Sequence, residues 1–219
     1  MRNLDIVKHG TQGAWLLDRL VAYVDGFNLY FGLKAKGWKK LYWLNIRELC
    51  KNLSKPNQDL IITKYFTSRI TNPKDKNKRQ ATFIEALMTL SDLKIFYGQY
   101  QSNPWTCHNC SATFAVFKEK MTDVNIAVEL LTDAFQDNFD IALIVSADSD
   151  LKGPIQKTKE LFPDKRIVVA FPPGRSSVEL RNIADACFHI GRKKIADSLF
   201  PDQITKSDGF MIERPDNWK

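Results

Sequence analysis

Ile141-Ala-Leu-Ile-Val-Ser-Ala-Asp-Ser-Asp150 is the stretch on which the fold turns. Five apolar residues run directly into Ser146, Asp148 and Asp150. A short, unbroken apolar run is the pattern of a strand buried on both faces, as in the middle of a parallel sheet. The polar cluster then falls at the carboxyl end of that strand, where open α/β folds bind ligands. Asp148 and Asp150 are two residues apart, so they share a face if the strand continues. Two carboxylates at one strand end repel each other unless a cation sits between them. The stretch also has a plainer reading, because Asp and Ser are good helix N-caps and Asp148-Ser-Asp150 would cap the helix that follows. Alone, the motif leaves cap and metal site open.

The same layout occurs earlier. Leu20-Val-Ala-Tyr-Val-Asp25 reads as the first strand, with Asp25 at its end and Gly26 opening a turn. Further buried-type strands are Leu60 to Phe66, Leu93 to Tyr97, Arg166 to Phe171 and a short Cys187 to Ile190. Helical patterns separate them: Leu44 to Leu53, Arg79 to Leu90, a helix opened by Lys118 to Asn125, Leu151 to Leu161, and one capped by Ser176 or Ser177 that runs to Asp185. This alternation predicts an α/β fold with a mostly parallel sheet of about five to six strands flanked by helices. Residues 99–119 break the rhythm and read as an inserted β-hairpin with Cys107 and Cys110 at its tip. The predicted organisation is an N-terminal extension over 1–19, one domain over 20–198 and a loosely packed polar tail over 199–219.

The chain has 219 residues, enough for one domain with a sizeable core. No apolar run approaches the length that spans a bilayer, and the first residues lack the apolar core of a signal peptide. This predicts a cytoplasmic protein, no membrane partner, and reduced cysteines. The net charge is +7, from 32 Lys and Arg against 25 Asp and Glu. A basic balance of this size favours a polyanionic partner such as nucleic acid without deciding for one. The oligomeric state stays open, a homodimer included.

Around the strand-end acids stand the other candidates. Asn28 lies three residues after Asp25, where it either caps a helix or reaches Asp25 or a phosphate. Asp123 falls in the first turn of its helix, where the dipole favours an anion, and where it also lies near the strand ends that carry Asp25 and Asp148. Lys120 would neutralise the cluster or meet phosphate. Arg69, Lys78, Arg79, Arg175 and Arg181 are further candidate nucleic-acid contacts, and Lys34 to Lys40 is a basic loop with one tryptophan. No Gly-x-Gly-x-x-Gly or Walker sequence is present, and the three histidines build no nucleophilic triad. Clustered acids without a catalytic histidine suit oxygen-ligated Mg²⁺ or Mn²⁺. Cys107 and Cys110 have the spacing of half a zinc site. A closed structural Zn²⁺ site takes four ligands and no second pair lies nearby, so two reduced thiols are favoured over zinc.

Val24-Asp25-Gly-Phe-Asn28-Leu, Glu119-Lys-Met-Thr-Asp123-Val-Asn-Ile-Ala and Ser146-Ala-Asp148-Ser-Asp150-Leu together resemble the NYN family (LabA/DUF88-like) of PIN-like nucleases, in order and in spacing. The likeness covers about residues 20–190. It implies a Rossmann-like sheet and a metal-dependent ribonuclease acting on RNA. It further implies metal held by Asp25, Asp123, Asp148 and Asp150, supported by Asn28 and Ser146, with Lys120 beside the scissile phosphate. Met121 stands where the family often has glycine, which alters the local turn without removing an acid. Two other readings remain: a non-catalytic RNA-binding regulator that keeps fold and acids, and a phosphatase of the haloacid dehalogenase type suggested by Asp25-Gly26. The second usually needs another acid two residues from the nucleophile, where Tyr23 and Phe27 stand.

Overall fold

The computed structural model describes residues 17–70, 73–107 and 109–219. Most of the predicted extension and His108 lie outside them. A six-stranded, all-parallel sheet carries the fold in the order β3-β2-β1-β6-β7-β8. Its strands are β1 (Asp18–Asp25), β2 (Gln58–Thr67), β3 (Leu93–Tyr97), β6 (Ile141–Val145), β7 (Arg166–Phe171) and β8 (Ala186–His189). The chain starts in the middle with β1, moves outward through β2 and β3, returns to place β6 beside β1, and then moves outward the other way. The strand order therefore reverses between β1 and β6, the seam at which open α/β sheets form a crevice. β1 begins two residues earlier than the apolar run suggests, because Asp18 and Arg19 still pair with Gln58 and Asp59.

Side chains leave each strand alternately toward two cores. Leu20, Ala22 and Val24 join Ile141, Leu143 and Val145 on one face, and Val21 and Tyr23 join Ala142 and Ile144 on the other. The first face is covered by α1 (Gly26–Ala35), α2 (Ile46–Leu53), α3 (Lys74–Leu87) and α7 (Arg192–Ala196). The second is covered by α4 (Thr122–Phe135), α5 (Lys152–Leu161) and α6 (Val178–Ile183). The helix expected over Arg79–Leu90 starts earlier, at Lys74, because the extended Pro73 serves as its N-cap.

The inserted hairpin is present as β4 (Gln99–Thr106) and β5 (Thr113–Lys120), antiparallel from Gln99↔Lys120 to Thr106↔Thr113. Lys118 to Lys120, expected to open a helix, therefore end a strand. The helix begins only after Met121 turns the chain with a positive φ of 75°. At the tip the Cys107 N–H donates to the Ala112 carbonyl and Ser111 adopts φ 56°. Cys50 is buried in the core and Cys187 lies on β8, so the tip pair remains a half site among the described residues.

The segment expected as a loosely packed tail is folded. It forms a small antiparallel pair, β9 (Gln203–Thr205) and β10 (Met211–Glu213), followed by a 3₁₀ turn over Asp216–Trp218. Phe200, Ile212 and Trp218 are 6%, 2% and 8% exposed in the first core. Trp43 Nε1 donates to the Pro201 carbonyl at 2.7 Å, and Lys206 pairs with Glu85 on α3. These apolar residues fall in short clusters of one to three within a polar stretch, so no helical or strand periodicity marks them as core.

Helix α4 is fastened to the sheet by a buried charge. Lys64 on β2, 6% exposed, donates to Asp133 and to Glu129 of α4, each at 2.6 Å, and Tyr23 on β1 donates to the same Asp133. Removing one partner of a buried pair leaves the other uncompensated, at about 3–5 kcal/mol. Lys64→Met should therefore lower the unfolding free energy by about 3 kcal/mol in urea titrations. An unchanged midpoint would mean that α4 is held by its apolar stripe alone.

Candidate metal centre

At the seam, the ends of β1 and β6 are cross-linked by three short polar groups. β1 terminates in Asp25, and α1 starts at once because residue 26 is glycine. A Cβ there would lie 2.5 Å from the Tyr65 hydroxyl and 2.8 Å from the Phe66 carbonyl. This makes Asp25 the N-cap of α1, with Oδ1 accepting from the Asn28 N–H at 2.9 Å. Its Oδ2 accepts from the buried Ser146 hydroxyl at 3.0 Å. Ser146 Oγ in turn accepts from the Asp148 N–H at 3.1 Å, and Asn28 Oδ1 accepts from the Ala147 N–H at 3.1 Å. Asn28 and Ser146 thus fix the acids and the turn that carries them.

Asp148 Oδ1 accepts from the Asp150 N–H and caps a 3₁₀ turn over Ser149–Leu151. Cap and cluster member are therefore one residue rather than alternatives. Carboxylate oxygens of Asp25, Asp123 and Asp148 all lie within 4.8 Å of one another. Asp150 does not join them. The chain turns at Ser149, so the two-residue period of a strand no longer applies, and its side chain is exposed. Asp123 comes from the first turn of α4, which Met121 makes possible by taking the left-handed backbone conformation. For a non-glycine residue that conformation costs roughly 1–2 kcal/mol.

The three acids line a cleft of about 250 Å³ with Asn28, Phe27, Phe31, Thr122, Lys120 and Arg175. Of the cationic candidates, Lys120 and Arg175 stand in this cleft. Arg79 lines a different cavity on the other side of Phe27. The Arg69 guanidinium stacks over Tyr97 at 4.8 Å, that of Arg181 over Phe171 at 5.3 Å, and Lys78 is exposed on α3. Phe27 and Phe31 escaped the sequence reading. Their four-residue spacing around Asn28, one helical turn, was the available signal.

The electrostatics are those of acids brought together without enough positive charge. Burial pushes the Asp25 carboxyl up, against its hydrogen bonds from Asn28 and Ser146, and Asp148 pushes it further while Arg175 pulls it down. Partial burial, then repulsion from Asp148, Asp25 and Asp150, raises Asp123 to about 6. Between the ordinary carboxylate value and 6, the folded chain binds more protons at Asp123 than the unfolded chain does. Stability from this group accordingly rises as pH falls through 6, and ionisation at neutral pH disfavours the fold. In EDTA at pH 8, Asp123→Asn should melt about 2–4 °C above the parent. The gap should narrow to about half near pH 5 and close only below the ordinary carboxylate value of 3.8, where the acid is protonated in the unfolded chain as well. Equal melting temperatures at both pH values would show that Asp123 does not feel its neighbours.

Comparison with known proteins bears on this geometry. The NYN domain family matches residues 19–191. A curated relative, 6-hydroxy-3-succinoylpyridine 3-monooxygenase HspA of Pseudomonas putida, is 26% identical, over 68% of this chain and 58% of its own length. This chain thus spans less than two thirds of that relative. The crystal structure of VPA0982, a Vibrio parahaemolyticus protein of unknown function, superposes with a TM-score of 0.54 at 15% identity, over 86% of this chain and all of that one, a likeness of fold. The parallel sheet with the acids at its seam and the family match over most of the length lead to one conclusion: the chain belongs to the NYN domain family of the PIN-like nuclease superfamily, whose members are typically nucleases.

Proposed function

We propose that this protein is a metal-dependent ribonuclease that hydrolyses phosphodiester bonds at the Asp25–Asp123–Asp148 cluster. The observation that carries the reading is the convergence of those three carboxylates within 4.8 Å in a cleft whose rim bears Lys120 and Arg175. Residues from β1, α4 and the turn after β6 supply it, so it is built by the fold and is not a chance pairing of surface acids.

The donor set fits a hard divalent cation. All three side chains offer oxygen, their mutual repulsion has no full counter-charge in the cleft, and no imidazole or thiolate competes among its lining residues. Asp25, Asp123 and Asp148 would hold Mg²⁺ or Mn²⁺, which when bound would polarise a phosphoryl oxygen and lower the pKa of water. The chain's own residues do the rest. Asn28 and Ser146 keep Asp25 in one orientation, so the site does not reorganise when substrate arrives. Lys120 and Arg175 take the negative charge of the phosphate as it builds in the transition state. Asp148, whose second oxygen is not used in capping, orients the attacking water. Asp150 adds negative charge from outside and strengthens cation binding over distance.

Two alternatives carry less. The haloacid dehalogenase reading needs an acid two residues beyond Asp25, and the side chain lining the cleft there is Phe27. The Pseudomonas relative is named as a monooxygenase of 6-hydroxy-3-succinoylpyridine, and the aromatic-walled cavity beside the cleft favours a ring-bearing ligand here too. That reading predicts dioxygen uptake with the pyridine and a two-electron reductant such as a reduced nicotinamide, and no action on RNA.

Labelled single-stranded RNA incubated with Mn²⁺ or Mg²⁺ should be cleaved, and EDTA should stop it. Asp148→Asn should reduce cleavage by about 100-fold or more, and Ser146→Ala by about 10–100-fold through weaker metal binding. RNA that is bound but stays intact with every divalent ion would give the lead to a non-catalytic regulator. Cleavage that survives Asp148→Asn would place the chemistry elsewhere.

A further inference from the structure

Phe27 separates the acid cleft from a second cavity, of about 380 Å³, and lines both. That volume lies within the range of small-ligand sites, about 300–1,000 Å³. The cavity is walled by aromatic side chains from distant parts of the chain: Tyr30 on α1, Tyr42, Tyr65 on β2, Phe83 on α3 and Trp218. Three pairs of these rings meet edge-on, and Tyr30 and Tyr42 lie tilted at 59°. Tyr42 and Trp218 cross at 80°, Tyr65 and Phe83 at 78°, and Phe83 and Trp218 at 77°, so the rings brace one another as a wall.

The rim is cationic. Lys34, Lys39, Lys76 and Arg79 all line this cavity. None of the four forms an ion pair with a described residue. A void left by imperfect packing gives no reason for four like charges to converge on its mouth against their own repulsion. An aromatic interior under an unpaired cationic rim matches a planar ring that carries an anion.

We propose that this cavity is a nucleotide subsite: it takes one base of the RNA strand whose scissile phosphate lies in the acid cleft, and its cations hold the phosphates beside that base. The proposal rests on the ribonuclease reading and specifies how that site takes its substrate. Consecutive Asp25 and Gly26 face the two compartments, so base and scissile phosphate sit on either side of a single turn of backbone. Recognition by stacking tolerates every base and requires the base to be unpaired, which selects single-stranded RNA over a duplex.

The test reads binding, not cleavage. The full chain carrying Asp148→Asn is titrated in EDTA with a labelled ten-nucleotide single-stranded RNA, and separately with adenosine and uridine 5′-monophosphate while tryptophan fluorescence is followed. Tyr30→Ala should weaken RNA binding about tenfold, Tyr30→Phe should leave it near the parent value, and both variants should fold. Replacing Lys34, Lys39 and Lys76 together by alanine should reduce the salt dependence of binding by about two units of slope. The mononucleotides should saturate a fluorescence change that Trp218→Phe or Tyr30→Ala diminishes. Mononucleotide binding with this dependence supports the subsite even if the parent never cleaves RNA, so the two readings fail separately. Unchanged RNA affinity in Tyr30→Ala with no mononucleotide response overturns the subsite even if cleavage is robust. Saturation by an aromatic carboxylate such as nicotinate, without response to mononucleotides, also overturns it.

Discussion

Three carboxylates within 4.8 Å of one another repel, and much of the surrounding structure resists that repulsion. Asp25 is held through both oxygens, by the Asn28 amide and the Ser146 hydroxyl. Asp148 is held through its own N–H on Ser146 and through its cap of the following turn. Asp123 has no such local tie among the described residues. Its position depends on the whole of α4, and α4 is anchored further along its length by Lys64 between Asp133 and Glu129. A buried lysine on β2 thus fixes the placement of a carboxylate some three turns of helix away. The left-handed Met121 is strained for the same reason, because the chain must reverse between β5 and α4 for Asp123 to face the seam.

The two compartments on either side of Phe27 divide the substrate problem. One is polar and acidic, with two cations at its edge, and suits a cation and a phosphate. The other is aromatic with an unpaired basic rim, and suits a ring. Gly26 serves both, since the absence of a Cβ lets Tyr65 approach the start of α1 while Asp25 caps that helix. The residue that makes the acid a cap also makes the aromatic wall.

Much of this was legible in the sequence where burial on both faces writes a continuous apolar run. β1, β2, β3, β6 and β7 were found that way, and with them the strand-end positions of Asp25 and Asp148. Asp123 was legible from its place in a helical first turn. What failed has physical reasons. Lys118 to Lys120 has no strand pattern of its own and is held in β5 by pairing with Gln99 to Gln101. Asp150 was grouped with Asp148 by strand spacing, which lapses once the chain coils into a 3₁₀ turn. Arg69 and Arg181 stay exposed while lying over aromatic rings, a placement that composition does not reveal. The aromatic cavity was invisible because its walls come from four separated segments, and Trp218 sits in a stretch with no periodic signal.

The reversal of strand order at the seam has a kinetic consequence. β1–β2–β3 and β6–β7–β8 are each built from neighbouring strand–helix–strand units, whereas the contact that joins them, Ser146 to Asp25, closes over 121 residues. Closing a loop of that length costs about 4 kcal/mol of chain entropy by the logarithmic rule, so long-range pairing of this kind is slow relative to local pairing. The acid cluster does not exist in either half. The full set forms only where the halves meet, and the repulsion that involves Asp148 opposes their joining. A divalent cation present during folding would therefore favour the joining of β6 to β1 more than the pairing within each half.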